Sequence, residues 1–121
     1  MKLCITSEGT TPDAAVDPRF GRCRYFMIHD TDTGAYEAVE NGQAGFSGGA
    51  GIQSAQAVAG KGVSAVLTGN VGPNAFQALN AAGIRIYTGV AGTVAEAVRA
   101  YAEGKLAATA GPTAGPKSGT R

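Results

Sequence analysis

The chain opens with a short apolar run, Leu3-Cys4-Ile5-Thr6, closed by Ser7, Glu8 and Gly9. A run of that length with turn residues behind it reads as a buried strand. Residues 7–24 form a polar loop. Tyr25-Phe26-Met27-Ile28-His29-Asp30 is aromatic and β-branched and reads as a second strand, and Thr31-Asp32-Thr33-Gly34 as a turn by composition. Tyr36-Glu37-Ala38-Val39-Glu40 alternates apolar with polar, the pattern of a half-buried edge strand. These three strands make an antiparallel meander.

The pattern changes at Asn41. A glycine-rich loop, residues 45–51, leads into the helical spacing of residues 52–59, which Lys61-Gly62 stops. Residues 63–68 are continuously apolar, as in a parallel strand covered on both faces. The loop Gly69-Asn70-Val71-Gly72-Pro73 follows, and Pro73 suits the first turn of a helix over 74–82 that Gly83 ends. Residues 84–87 form the last strand. Thr93-Val94-Ala95-Glu96 fits a capping box that opens a helix reaching about Lys105. From residue 107 to 121 the chain is Ala, Gly, Pro, Thr and Ser with little else and no apolar period, and reads as a flexible tail behind a single domain of residues 1–106.

The order β-β-β-α-β-α-β-α, with right-handed crossovers, predicts an α/β fold: a five-stranded mixed sheet in the order 3-2-1-4-5 with three helices. Strands 1, 4 and 5 are then parallel. The loops after strands 1, 3, 4 and 5 all lie at one end, where open α/β sheets hold their ligands. Three helix N-termini converge there, and their unpaired N–H groups favour an anion.

Composition narrows the chemistry. The 121 residues make one domain, with no Trp and 19 Gly, and a formal net charge of +1 gives no global field for nucleic acid. No apolar run reaches the roughly 18 residues of a membrane span, and the N-terminus has no signal-peptide stretch. Cys4 and Cys23 make no disulfide framework, so a reduced, cytoplasmic setting is expected.

The candidate site follows from placement. Asp17, Arg19, Phe20, Gly21, Arg22 and Arg24 leave strand 1 at the loop end; Gly48, Gly49, Ala50, Gly51 and Ile52 precede and open the first helix. Gly69, Asn70, Val71, Gly72 and Pro73 precede the second helix, and Thr93 caps the third. Arg19, Arg22 and Arg24 supply cations, amides of Gly49, Ala50, Gly72 and Thr93 donate, and Phe20, Val71 and Ile52 wall the pocket. Each feature alone has a plain structural explanation: a cap, a solvated surface, a turn initiator at Asp17-Pro18, a core aromatic. Their convergence at one end of the sheet gives them functional weight. Cys23 lies between Arg22 and Arg24, where cations are expected to lower its pKa and make it a candidate soft metal ligand. Cys4 reads as a small core residue and His29 as structural.

The strings Val16-Asp17-Pro18-Arg19-Phe20-Gly21-Arg22, Gly49-Ala50-Gly51-Ile52, Leu67-Thr68-Gly69, Val71-Gly72-Pro73, Ala75-Phe76-Gln77-Ala78-Leu79, Ala81-Ala82-Gly83-Ile84 and Glu103-Gly104-Lys105 carry a resemblance. In order over residues 2–105, the chain resembles the nitrogenase iron–molybdenum cofactor biosynthesis family of small cluster carriers. The resemblance implies a ribonuclease H-like fold and non-catalytic handling of anionic metal–sulfur clusters. The cargo it implies is an iron–molybdenum cofactor precursor in one branch and a molybdenum–copper sulfide cluster, held without covalent protein ligands, in another. In that second branch a His stands in the loop before the first helix, where this chain reads Ser47-Gly48-Gly49, and a small apolar residue stands in place of Cys23.

Three functions are weighed. A carrier of a thiomolybdate-type anion leads, with proteins that donate or receive the cluster as partners, neither nucleic acid nor membrane, and a monomer or weak homodimer. An enzyme such as a nuclease needs carboxylates gathered around metal, and Asp13 and Asp17 lie at the end opposite Asp32; no Walker-type Lys follows the glycine loop and there is one His. The third is an interaction domain without cluster, acting through the edge strand Tyr36 to Glu40.

Overall fold

A computed structural model describes residues 1–42 and 50–111. Eight elements follow in order: β1 (Lys2–Ser7), β2 (Tyr25–Asp30), β3 (Tyr36–Glu40), α1 (Ala50–Ala59), β4 (Ala65–Leu67), α2 (Pro73–Ala81), β5 (Arg85–Tyr87) and α3 (Val94–Ala102). The sheet order is β3-β2-β1-β4-β5, as the strand pattern predicts. β1 pairs antiparallel with β2 (Cys4 opposite Ile28) and parallel with β4 (Cys4 beside Val66). β2 and β3 are antiparallel, β4 and β5 parallel.

The pleat divides the apolar residues between two layers. Cys4, Phe26, Ile28, Val66 and Ile86 join Ala55, Val58, Ala75 and Leu79 in the layer under α1 and α2. Leu3, Ile5, Met27, Ala65, Leu67 and Tyr87 join Val94 and Ala97 under α3. β1 and β4 are buried throughout apart from Lys2, which explains their continuous apolar runs, whereas β3 is half exposed at the sheet edge.

Two boundaries differ from the sequence expectation. The last helix ends at Ala102 rather than near Lys105. Gly104 N–H bonds Tyr101 O and Lys105 N–H bonds Ala100 O, a Schellman closure that turns the chain back. The segment expected to be flexible from residue 107 begins with ordered pairing. Ala108 bridges Tyr87, Thr109 N–H donates to Ile86 O at 2.7 Å, and the Thr88 and Thr109 hydroxyls meet at 2.6 Å. Leu106 packs against the layer under α3. A Thr-bearing stretch without apolar period can still supply backbone to a sheet edge, which periodicity does not report. Residues 112–121 lie outside the described residues.

The loop after β1 is bound across the carboxyl ends of the parallel strands. Val16 bridges Ser7, Asp17 N–H donates to Thr6 O, and Val16 N–H donates to Gly92 O. Pro18 O accepts Asn70 N–H at 2.7 Å, and Asn70 O accepts Phe20 N–H at 3.1 Å. The two backbones touch at Gly69: a Cβ there would lie 2.6 Å from Pro18 Cα and 2.8 Å from its carbonyl oxygen. Gly69→Ala is therefore expected to destabilise the fold by about 1–3 kcal/mol, the cost of overpacking, read as a lower urea midpoint.

Candidate functional site

The loop of residues 16–24 separates inward from outward side chains residue by residue. Asp17, Phe20, Gly21 and Cys23 are buried; Arg19, Arg22 and Arg24 are exposed. Asp17 is a turn-forming anion within the protein. Its Oδ1 accepts the Arg19 backbone N–H at 3.0 Å and Arg19 Nε at 3.4 Å, and its carboxylate is nearly closed to solvent. The Thr6 hydroxyl donates to Asp17 O at 2.6 Å and lies 2.8 Å from the Thr68 hydroxyl, tying the loop to the ends of β1 and β4. The Arg19 side chain stays 63% exposed with only Nε engaged, and Arg22 and Arg24 make no ion pair among the described residues. Cationic capacity thus faces outward along the loop.

Behind the loop stands a hub that sequence reasoning missed. Asn41, just after β3 and 6% exposed, donates through Nδ2 to Gly21 O (3.1 Å) and Cys23 O (2.9 Å). Its backbone N–H donates to Arg24 O, and its Oδ1 accepts Ser54 Oγ at 3.3 Å. Ser54, in α1, also reaches Gly21 O at 3.5 Å. Gly21 can present its carbonyl there because its φ is +96°, in the region that penalises a side chain. The available signals were Asn at a strand end and Ser54 four residues before Val58 on the buried helix stripe.

The sequence candidates fall into three groups. Brought together are Arg19 and Phe20 with Asn70, Pro18 with Gly69, and Gly21 with Ser54. The starts of α1 and α2 also meet, since a Cβ on Gly51 would lie 3.2 Å from Ala75 Cβ and 3.7 Å from its backbone nitrogen. At α2, Gly72 is the N-cap without a side-chain cap and Pro73 lacks an N–H; the amides of Asn74 and Ala75 have no acceptor among the described residues. Ile52 is exposed beside them.

Several candidates are placed differently from expectation. Phe20 and Val71 are buried in the layer under α1 and α2, Phe20 stacking on Phe26 at 5.7 Å, so they support the loop from below instead of walling an open pocket. Thr93 cannot donate to an anion. Its N–H is taken by Glu96 Oε1 at 2.9 Å, Val94 N–H by Ala14 O and Ala95 N–H by Pro12 O. The capping box that announces α3 also fills its N-terminus, so that helix start is closed to a ligand. Gly48 and Gly49 lie outside the described residues, and Ala50 opens α1.

Cys23 corrects the expectation of a lowered pKa. Its neighbours point outward while its thiol is fully buried. Burial pushes it up to about 12, and the Asp17 carboxylate adds to the shift, against weaker opposing hydrogen bonds from Gly21, Cys23 backbone and Asn41. Cys4, in the same layer, is raised by burial and by Cys23. No group of three or more His, Cys, Asp or Glu side chains that could hold a metal ion occurs among the described residues. No helix among them is long and apolar enough to cross a membrane.

With this geometry in place, comparison with known proteins is decisive at one level. The family described as dinitrogenase iron–molybdenum cofactor matches residues 1–104. This chain belongs to that family. Among solved structures, the apo form of the orange protein from Desulfovibrio gigas is 44% identical with a TM-score of 0.91, over 93% of this chain and 96% of that one. A putative NifB protein from Thermotoga is 41% identical with a TM-score of 0.79, over 88% and 91%. An uncharacterised protein of Methanocaldococcus jannaschii is 34% identical over 88% of this chain and 89% of its own length. The dinitrogenase iron–molybdenum cofactor family is thus matched over every described strand and helix.

Two outcomes test the site's construction. Asn41→Ala leaves the buried carbonyls of Gly21 and Cys23 without their side-chain donor and is expected to cost about 1–3 kcal/mol in chemical denaturation. In the unfolded chain a thiol ionises near about 8.5, whereas folded Cys23 holds its proton to about 12. Between these values the native state binds more protons, so stability is complete below the window and falls as pH rises through it. Urea midpoints taken from about pH 8 to pH 11 should decline, and more shallowly in Cys23→Ala.

Proposed function

We propose that the protein binds a compact anionic metal–sulfur cluster without covalent ligation and carries or stores it rather than transforming it. The observation that carries this reading is the meeting of two helix starts at Gly51 and Ala75, with amides at Asn74 and Ala75 that have no acceptor among the described residues. Beside them runs a loop whose three arginines face outward. Fixed N–H dipoles and guanidinium groups suit an anion whose charge is spread over sulfides. Arg22 and Arg24 supply uncompensated charge, and Arg19, oriented by Asp17, supplies its terminal nitrogens. Asn70, Gly72 and Pro73 shape the α2 side and Gly51 and Ile52 the α1 side.

The cargo in this reading contains molybdenum, as a molybdenum–copper sulfide or an iron–molybdenum cofactor precursor. The family's description and the likeness to the orange protein support that class. The strand order supports the ribonuclease H-like arrangement within the same proposal. The role is non-catalytic because the carboxylates do not gather: Asp17 is bound to Arg19, and Asp32 pairs with the N-terminal ammonium at the opposite end. Free, buried cysteines fit a reduced, cytoplasmic setting with proteins that donate and receive the cluster. We assign Cys23 no ligand role here, because a buried thiol held to about 12 is a poor thiolate donor. A second reading, an interaction domain without cluster, is favoured by the β3 edge, which no other described strand pairs.

Tetrathiomolybdate with Cu(I), added anaerobically to the full chain, is expected to give a tightly bound coloured complex that survives gel filtration, with metal content set by elemental analysis. Arg19→Ala with Arg22→Ala should weaken retention by about tenfold or more. Unchanged binding in that double variant places the cargo elsewhere.

A further inference from the structure

The two edges of the sheet are treated differently. At β5 the chain covers its own edge: Ala108 bridges Tyr87 and Thr109 N–H bonds Ile86 O. At β3 nothing among the described residues does so. The register fixes which groups are open. Asn41 N–H bonds Arg24 O and Asp30 N–H bonds Ala35 O, and the pairing runs Tyr25 with Glu40 to His29 with Tyr36. In an antiparallel ladder, alternate residues bond the neighbour. Ala35, Glu37, Val39 and Asn41 therefore turn their backbone groups to β2, and Tyr36, Ala38 and Glu40 turn theirs outward.

A cavity of about 200 Å³ opens directly beside this edge, between β3 and α1. Phe26, Ile28, Val39 and Val58 give it an apolar lining, and Lys61 and Glu40 stand among its polar residues. Its volume suits one Leu or Phe side chain. A strand added to β3 directs alternate side chains to the α1 layer, where Val39 already points. The edge keeps an excess of one negative charge: Glu37 meets Lys61 Nζ at 3.5 Å, and Glu40 has no ion pair among the described residues.

We infer that β3 is a docking edge for an extended segment of a partner protein, adding as a sixth strand, seating one large apolar side chain in this cavity and carrying basic residues opposite Glu37 and Glu40. Charge complementarity selects the occupant. A second copy would bring another acidic strand against the first, and like charges disfavour it. The surface is separate from the proposed cluster site, and its test does not require a cluster. Its end runs into Asn41, the hub behind the loop, so an occupant lies one residue from the group that fixes Gly21 and Cys23.

The probes are blocked hexapeptides of alternating pattern with a central Leu or Phe, flanked by Lys in one set and by Glu in the other. They are titrated into the full chain while backbone amide shifts are followed. The Lys set should move the amides of Tyr36, Ala38 and Glu40 and bind about tenfold more tightly than the Glu set. Ala38→Pro removes an outward N–H without breaking a bond to β2, so the melting temperature should hold while binding falls about tenfold. Should that variant fail to fold, Glu37→Lys with Glu40→Lys should invert the preference toward the Glu set. The proposal is overturned by an absence of shifts at millimolar peptide, by equal binding to Ala38→Pro, or by no inversion in the charge variant. It is also overturned if concentrating the chain alone shifts the same amides, which makes a second copy the occupant.

Discussion

The contact between Pro18 and Gly69 is the constraint on which the loop end of the sheet depends. Two backbones approach until no Cβ fits between them, and flanking hydrogen bonds at Asn70 hold the approach. Glycine at residue 69 supplies the absent volume, and proline at residue 18 supplies a carbonyl on a chain whose φ is already fixed. The loop after β1 thereby becomes an extension of the sheet, running beside the segment after β4. Buried Asp17 and the hydroxyls of Thr6 and Thr68 close the other side of the crossing. With its inward groups engaged, the loop has one face left for its arginines.

The same economy of donors decides which helix starts are available. α3 begins with a capping box and also donates its next two amides to Ala14 and Pro12. A dipole end filled this way attracts little further anion, and Glu96 adds a negative charge to it. α2 begins with Gly72 and Pro73, neither of which brings a capping side chain, and α1 begins against it at Gly51. Glycine and proline at the start of α2 leave amides without a side-chain cap where serine, threonine or aspartate would have closed them. The asymmetry between α2 and α3 is thus a chemical difference between two N-caps, and it is why the proposed anion site lies on the α2 side of the loop and not at α3.

The strand pattern carried most of the fold. Continuous apolar runs marked the central strands, alternation marked β3, and one crossover rule gave the sheet order later observed. The sites were less legible, for reasons tied to particular residues. Arg22-Cys23-Arg24 reads as a cationic cluster around a thiol, yet the turn through Gly21 leaves Arg22 and Arg24 exposed and Cys23 buried in the core with its pKa raised. Thr93 was read correctly as a cap and wrongly as a donor, because capping consumes the amides that an anion would need. Asn41 was invisible because its partners, Gly21, Cys23 and Ser54, are far away in sequence, and a single polar residue at a strand end has no periodicity. Thr109 escaped for the related reason that backbone pairing leaves no mark on side-chain pattern.

The two sheet edges connect these observations. An unpaired edge invites pairing, and a chain normally answers with cover, charge or distortion. β5 receives cover from the chain's own segment at residues 108–109, while β3 receives charge in Glu37 and Glu40. In the proposed docking, charge of that sign favours a basic strand over an identical edge. β3 then passes through Asn41 into the carbonyls that hold the arginine-bearing loop. The β3 edge and the arginine-bearing loop are therefore joined by one buried amide, through its hydrogen bonds to Gly21 O and Cys23 O.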